Sequence, residues 1–356
     1  MKKILALALC LCMVLCAVAC TKAPAEKDYK LGMGIVVSMD SSATNNAQVD
    51  ATVATVVTDA DGKIVSCRID VAQNKMDVTN GAVDVAATFQ TKMEKGDAYG
   101  MAAAVNYGMD WNGDGVVKEW YDQAKAFEAY VVGKTASEVE AIATKEVEGQ
   151  GYIIPADEAL LSAGCTIQVT DFIEAVAKAC KDEQGMSFKT AATFTLGVAA
   201  KTTAAESEAA TAEANGTVAM YSDFAATVIA DGKIIATLND AIQPKITINA
   251  AGEIVETSFT ETKRNLKEGY NMATYGANLD NNGDGVVKEW YLQSEAFSNY
   301  VIGKTGAEVA AMQTVAATQG SVGYMISADA DLLAAGCTIQ IGGICAVVAQ
   351  AANNAR

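Results

Sequence analysis

The 356-residue sequence contains no histidine. That excludes imidazole ligation of haem or zinc and any general base or triad built on an imidazole. Its three prolines are too few for a polyproline segment. Cysteine is less informative than its count suggests: four of nine (Cys10, Cys12, Cys16, Cys20) fall in the first twenty residues. The other five are Cys67, Cys165, Cys180, Cys337 and Cys345, an odd number with no Cys-x-x-Cys. This is no disulfide framework, zinc knuckle or redox dithiol. Beyond residue 18 no apolar run is long enough to span a membrane. Positive charge is scarce: 26 Lys and Arg face 43 Asp and Glu, for a formal charge of −17. Such a surface repels nucleic acid and anionic headgroups but suits divalent cations.

The chain opens MKKILALALCLCMVLCAVAC. A basic start at Lys2 and Lys3, an apolar run from Ile4 to Val18 and small residues before Cys20 read as a secretory signal over 1–19. Cys20 after Ala-Val-Ala resembles a bacterial lipobox, with Ala17 where leucine is commoner. Cys20 is therefore the expected lipidation site, placing the protein outside the cytoplasm on a lipid anchor, with 20–28 as tether.

What the chain does have is a duplication. Met109–Thr135 and Leu279–Thr305 agree at 19 of 27 positions. Asp61-Gly62-Lys63-Ile64 recurs 170 residues later, Tyr99 and Met101 recur at 171, and Ala163–Gln168 recurs at 172. Two copies of this length are tandem domains, a solenoid needing more and shorter repeats. The expected domains are 29–180 and 193–356, with a polar linker over 181–192. Each copy begins with β-rich runs around an Asp-Gly hairpin signal. A helix follows, with Trp120, Ala124, Phe127 and Val131 on one face and Trp290, Ser294, Phe297 and Val301 on its counterpart. Gly133 and Gly303 stop these helices. Thr135-x-x-Glu138 and Thr305-x-x-Glu308 are capping boxes opening a second helix. Ala-Gly-Cys-Thr-Ile-Gln reads as a turn and strand before a last helix capped by Asp171. Strands first and helices after predict an α+β fold on antiparallel sheets.

Three motifs bear on chemistry. Gly133-Lys134-Thr135 is not a phosphate loop, because Glu128 and Ser298 stand where its first glycine belongs. Asp110, Asn112 and Asp114, repeated as Asp280, Asn282 and Asp284, match the opening of a calcium loop. Position twelve is tyrosine, and the nearest acids are Glu119 and Glu289. A weak calcium site and a plain acidic turn before a helix both remain open.

The third motif is Ala-Gly-Cys-Thr-Ile. With Asp-Gly-Lys-Ile and the Lys-Glu-Trp-Tyr helix, it resembles the FMN-binding-domain lipoproteins of anaerobic Gram-positive bacteria, over roughly 45–180 and 215–352. That family is linked to extracellular electron transfer. It carries a Ser-Gly-Ala-Thr element whose threonine can be esterified to the FMN phosphate by a separate flavin transferase. The resemblance implies Thr166 and Thr338 as attachment points, with Gly164 and Gly336 on the family's glycine. Cys165 and Cys337 replace its alanine, and Ala163 and Ala335 its serine. The family's upstream aspartate is matched by Asp331 in the second copy and by Glu158 or Asp157 in the first. The implied partners are a flavin transferase and a membrane redox partner. The other reading is a non-catalytic cell-envelope module with calcium-stiffened loops and no flavin. A conventional enzyme ranks below both, for want of a nucleophile–base pair.

Overall fold

The computed structural model describes residues 25–275, 280–320 and 323–356. The signal segment and Cys20 lie outside the described residues. The fold is α+β, with antiparallel sheets followed by helices in each copy.

In the first copy β1 (Lys27–Ser38), β2 (Asn46–Asp59) and β3 (Ile64–Asp77) form a meander. The chain continues through helices α1 (Lys92–Lys95), α2 (Trp120–Val131) and α3 (Ala136–Glu140), hairpin β4 (Thr144–Val147) and β5 (Tyr152–Pro155), then α4 (Glu158–Ser162) and α5 (Thr170–Lys181). Strand β6 (Met186–Thr190), in the stretch read as linker, pairs with β1, giving the order β3-β2-β1-β6.

The second copy has a three-stranded sheet, β10-β9-β7, from β7 (Thr195–Thr203), β9 (Tyr221–Ala230) and β10 (Lys233–Ile242). A smaller sheet joins β8 (Gly216–Val218), β11 (Lys245–Ile248) and β12 (Ile254–Ser258). Helices α6 (Lys263–Leu266), α7 (Met272–Tyr275), α8 (Trp290–Tyr300) and α9 (Gly306–Ala310) follow. Hairpin β13 (Thr314–Ala316) and β14 (Met325–Ser327) comes next, then α10 (Ala330–Ala334) and α11 (Gly342–Asn353). Asp231 and Gly232 make the predicted hairpin turn with φ of 49° and 75°, the left-handed pair a two-residue loop demands.

Each large sheet is covered on one face by its own helices. In the first copy Val56 and Ile69 pack with Trp120, Phe127, Phe172 and Val176; in the second, Ala225 and Ile234 pack with Trp290, Phe297 and Val348. The last helix of each copy presses on a glycine. A Cβ on Gly32 would stand 2.0 Å from the Ala179 carbonyl oxygen, and one on Gly197 would stand 1.8 Å from that of Ala351. The opposite faces meet in one shared cluster containing Leu31, Met33 and Val53 with Leu196, Val198 and Phe224. Burying those apolar side chains, at about 1.5–3 kcal/mol each, joins the copies through a common core.

Among the described residues three ion pairs cross between the copies, the longest being Lys267 Nζ to Glu183 Oε2 at 3.8 Å. Arg264 Nη2 lies 3.1 Å from Asp182 Oδ2, both side chains 6% exposed. Arg356 Nη2 donates to both oxygens of Glu128, at 3.1 and 2.8 Å. Both capping boxes form, at Thr135/Glu138 and Thr305/Glu308.

Candidate functional site

The Ala-Gly-Cys-Thr-Ile-Gln segment is not a strand. It closes α4, with Gly164 at φ 83°, and runs on as an irregular loop into α5. The reason is hydrogen bonding. Thr166 N–H donates to Gln123 Oε1 at 2.8 Å, a side chain on α2 rather than a neighbouring strand. The Thr166 hydroxyl also lies 3.3 Å from that oxygen. Gln123 is oriented in turn by donating to the Lys118 carbonyl at 2.7 Å. The second copy repeats this: Thr338 N–H donates to Gln293 Oε1 at 2.7 Å, and Gln293 donates to the Lys288 carbonyl at 2.7 Å. The last helix starts at Thr170 with Val169 as N-cap, so Asp171 lies in the first turn instead of capping it.

Gly164 and Gly336 sit under a lysine. Lys118 Nζ donates to the Ala163 carbonyl, and Lys288 Nζ to that of Ala335, both at 2.8 Å. A Cβ on Gly164 would come within 2.6 Å of the Lys118 side chain. Cys165 and Cys337 are buried, and desolvation pushes both thiols up to about 12, leaving them protonated and poorly nucleophilic. Asp157 and Asp329 cap α4 and α10 and accept from the Tyr130 and Tyr300 hydroxyls. They, rather than Asp331 or Glu158, occupy matching places in the two copies.

The acidic loops dock onto these turns. Asn112 donates to Asp114 and to the Leu161 carbonyl; Asn282 donates to Asp284 and to the Leu333 carbonyl. Asp110 accepts from the amides of Gly113 and Gly115, and Asp280 from those of Gly283 and Gly285. Glu119 faces another segment and takes the amides of Met101 and Ala102, as Glu289 takes those of Met272 and Ala273. Among the described residues no group of three or more His, Cys, Asp or Glu is placed to hold a metal.

Thr166 lines a cavity of about 560 Å³ in the first copy. Its floor is sheet. Gln48, Asp50 and Thr52 on β2 stand opposite Lys75, Gln73 and Val71 on β3, every second residue pointing the same way. Its walls include Tyr99, Trp111, Trp120 and Tyr152. Trp111 and Tyr152 have ring centroids 6.3 Å apart. Lys92 enters from α1, its Nζ 5.2 Å from the Tyr99 ring centroid and 5.6 Å from that of Trp120. Asp50 Oδ1 is buried and unpartnered, while its other oxygen accepts from Gln48 at 2.6 Å.

A broader groove of about 680 Å³ along α5 holds none of the sequence motifs. Its charged rim is already paired, Lys178 with Glu174 and Lys181 with Glu140.

Gln123, Lys92, Asp50 and Trp111 escaped the sequence reading. Gln123 recurs as Gln293 and Lys92 as Lys263, so the repeat itself carried a signal for those two. Asp50 and Trp111 carried none, because each becomes cavity lining only through strand register or loop docking.

Among the described residues no helix is long and apolar enough to cross a membrane. No family model matches the chain, and no solved structure matches it. The chain is similar to a curated protein named chlorophenol reductase, from Desulfitobacterium hafniense, at 31% identity over 180 residues. The matched part is 45% of this chain and 52% of that protein, so the chain spans about half the length of this curated relative, whose name is that of a redox protein.

Proposed function

We propose that this chain is an extracytoplasmic lipoprotein, anchored through Cys20, that carries FMN for electron transfer. The observation that carries the reading is the aromatic-walled cavity of about 560 Å³ with Thr166 on its wall. Cavities of roughly 300–1,000 Å³ hold cofactor-sized ligands. The unpartnered Asp50 oxygen asks for a donor from whatever fills the space. Thr166 would hold the phosphate end, Tyr99, Trp111 and Tyr152 would flank the ring, and Asp50 would accept from it. The cofactor itself supplies electron uptake and release, so the absence of histidine is no obstacle. The redox name of the relative supports the same class of chemistry; chlorophenols as substrates would need a reductive site beyond carrier function.

The test is yellow fluorescence on a denaturing gel, with the full chain made alongside a flavin transferase. Thr→Val keeps the β-branched shape and removes the oxygen. Thr166→Val and Thr338→Val should each lower the signal, and the double variant should be dark. A dark wild type that also fails to bind free FMN would leave the second reading, a calcium-stiffened envelope module. That reading is favoured by the buried, unpartnered Oδ1 of both Asn112 and Asn282, the third position of each acidic loop.

A further inference from the structure

Lys92 is held more firmly than a covering side chain requires. Thr91 accepts from Glu94 N–H at 3.2 Å, closing the α1 cap, and Asp70 accepts from Met93 N–H at 3.1 Å. These bonds fix the backbone on both sides of Lys92 and aim its ammonium into the cavity that Thr166 lines. The second copy rebuilds the arrangement. Lys263 Nζ lies 5.1 Å from the Tyr270 ring centroid and 5.4 Å from that of Trp290, and Asp240 accepts from Arg264 N–H at 2.9 Å.

The neighbouring acid, by contrast, changes places. Asp171 of the first copy corresponds to Gly343, and a Cβ there would stand 2.3 Å from Asp223 Oδ2. Asp223, opposite Ala241, takes the strand position that Thr52, opposite Val71, holds in the first copy. In the first copy Asp50 on β2 and Asp171 on α5 both act on Lys92, while in the second Asp223 on β9 acts on Lys263. Burial alone lowers the Lys92 pKa, and Asp50, Asp171 and Asp70 oppose that shift. A lysine that merely roofed a tryptophan would need no such acid.

We propose that Lys92 supplies the fixed positive charge that favours the reduced form of the cofactor in the first cavity. This rests on the FMN reading above. Two electrons and one proton convert the neutral oxidised ring into a reduced monoanion, with dithionite as the donor in the test. A cation held beside the ring stabilises that added charge and raises the potential.

The experiment uses the full chain carrying Thr338→Val, made with a flavin transferase so that the attached cofactor is the one on Thr166. Its midpoint potential is read by dithionite titration against a reference dye. Lys92→Met and Lys92→Gln should each lower the preference for the reduced form at least tenfold, about 30 mV for a two-electron couple. Lys92→Arg should restore most of it. Two neutral variants guard against one that fails to fold. A loaded chain whose potential ignores both neutral substitutions overturns the assignment, as does lost loading at unchanged potential, which would make Lys92 a phosphate anchor. A chain with Lys92 intact that takes up no flavin overturns the Thr166 reading, and this inference with it.

Discussion

The two copies agree in their scaffold and part company at the cavity. Both hold the loop threonine with a glutamine from the Trp-Tyr helix, and both place a lysine between a tyrosine and a tryptophan. Both use a glutamate at the helix start to tie down the preceding segment. The first copy then adds Trp111, which packs near Tyr152. The second has Asn281 there, which accepts from Gln319 N–H at 2.9 Å and donates to the Gln319 carbonyl. A ring wall is exchanged for a stitch between loops. Duplication preserved the core and much of the cavity lining, including the lysine, the tyrosine–tryptophan pair, the glutamine and the threonine, while the wall position of Trp111 diverged, being less coupled to the packing of the whole fold.

The comparison is broken most severely at the ion pairs joining the copies. Arg264→Ala leaves Asp182 buried without a counter-ion, which costs about 3–5 kcal/mol; Arg356→Ala removes a side chain that is 37% exposed and leaves Glu128 with Arg68 Nη1 3.6 Å away, so it should cost much less. Urea denaturation of the two variants should therefore differ widely in midpoint, and equal midpoints would show that burial does not separate these clamps.

Next in size is a difference in pH response. Burial raises Asp70 from 3.8 to about 6, with no arginine opposing it, whereas Arg264 lowers the raised pKa of Asp240. The folded state therefore holds the Asp70 proton more tightly than the unfolded chain. The associated stability is fully present below about pH 4 and is lost as pH rises through about 6, on the order of 3 kcal/mol. Asp70→Asn should flatten the melting-temperature profile between pH 4 and 6 more than Asp240→Asn does. Parallel profiles would contradict the assignment.

Gln123→Leu and Gln293→Leu should cost about 1–3 kcal/mol each by stranding the Thr166 or Thr338 amide. Similar losses, read by thermal melting, would show the scaffold to be equivalent in the two copies. On the FMN reading, Gln123→Leu should also remove more flavin than Gln293→Leu, since Trp111 has no aromatic counterpart. The smallest effect expected is calcium stabilisation. At tenfold excess over a millimolar site it amounts to about 1.4 kcal/mol, and it should shrink in Asp114→Ala with Asp284→Ala. Identical melting of the wild type in calcium and chelator would leave both loops as acidic turns.

Local physics was legible in the residues alone. The duplication is read by comparing the chain with itself, and the Asp-Gly hairpin, the helix faces of Trp120 and Trp290 and both capping boxes depend on patterns only a few residues long. The missed strand at Ala163–Gln168 shows where such reading stops: β-forming residues there give their amide to Gln123, forty-three positions away, and tertiary context overrides propensity. The placement of Glu119 was equally out of reach, since nothing local directs it to the amides of Met101 and Ala102. Period and capping therefore determined the elements. The shared core between the sheets, the cavity beside Thr166 and the placement of Lys92 and Asp50 were decided by tertiary structure, because each requires segments distant in sequence to meet at one register.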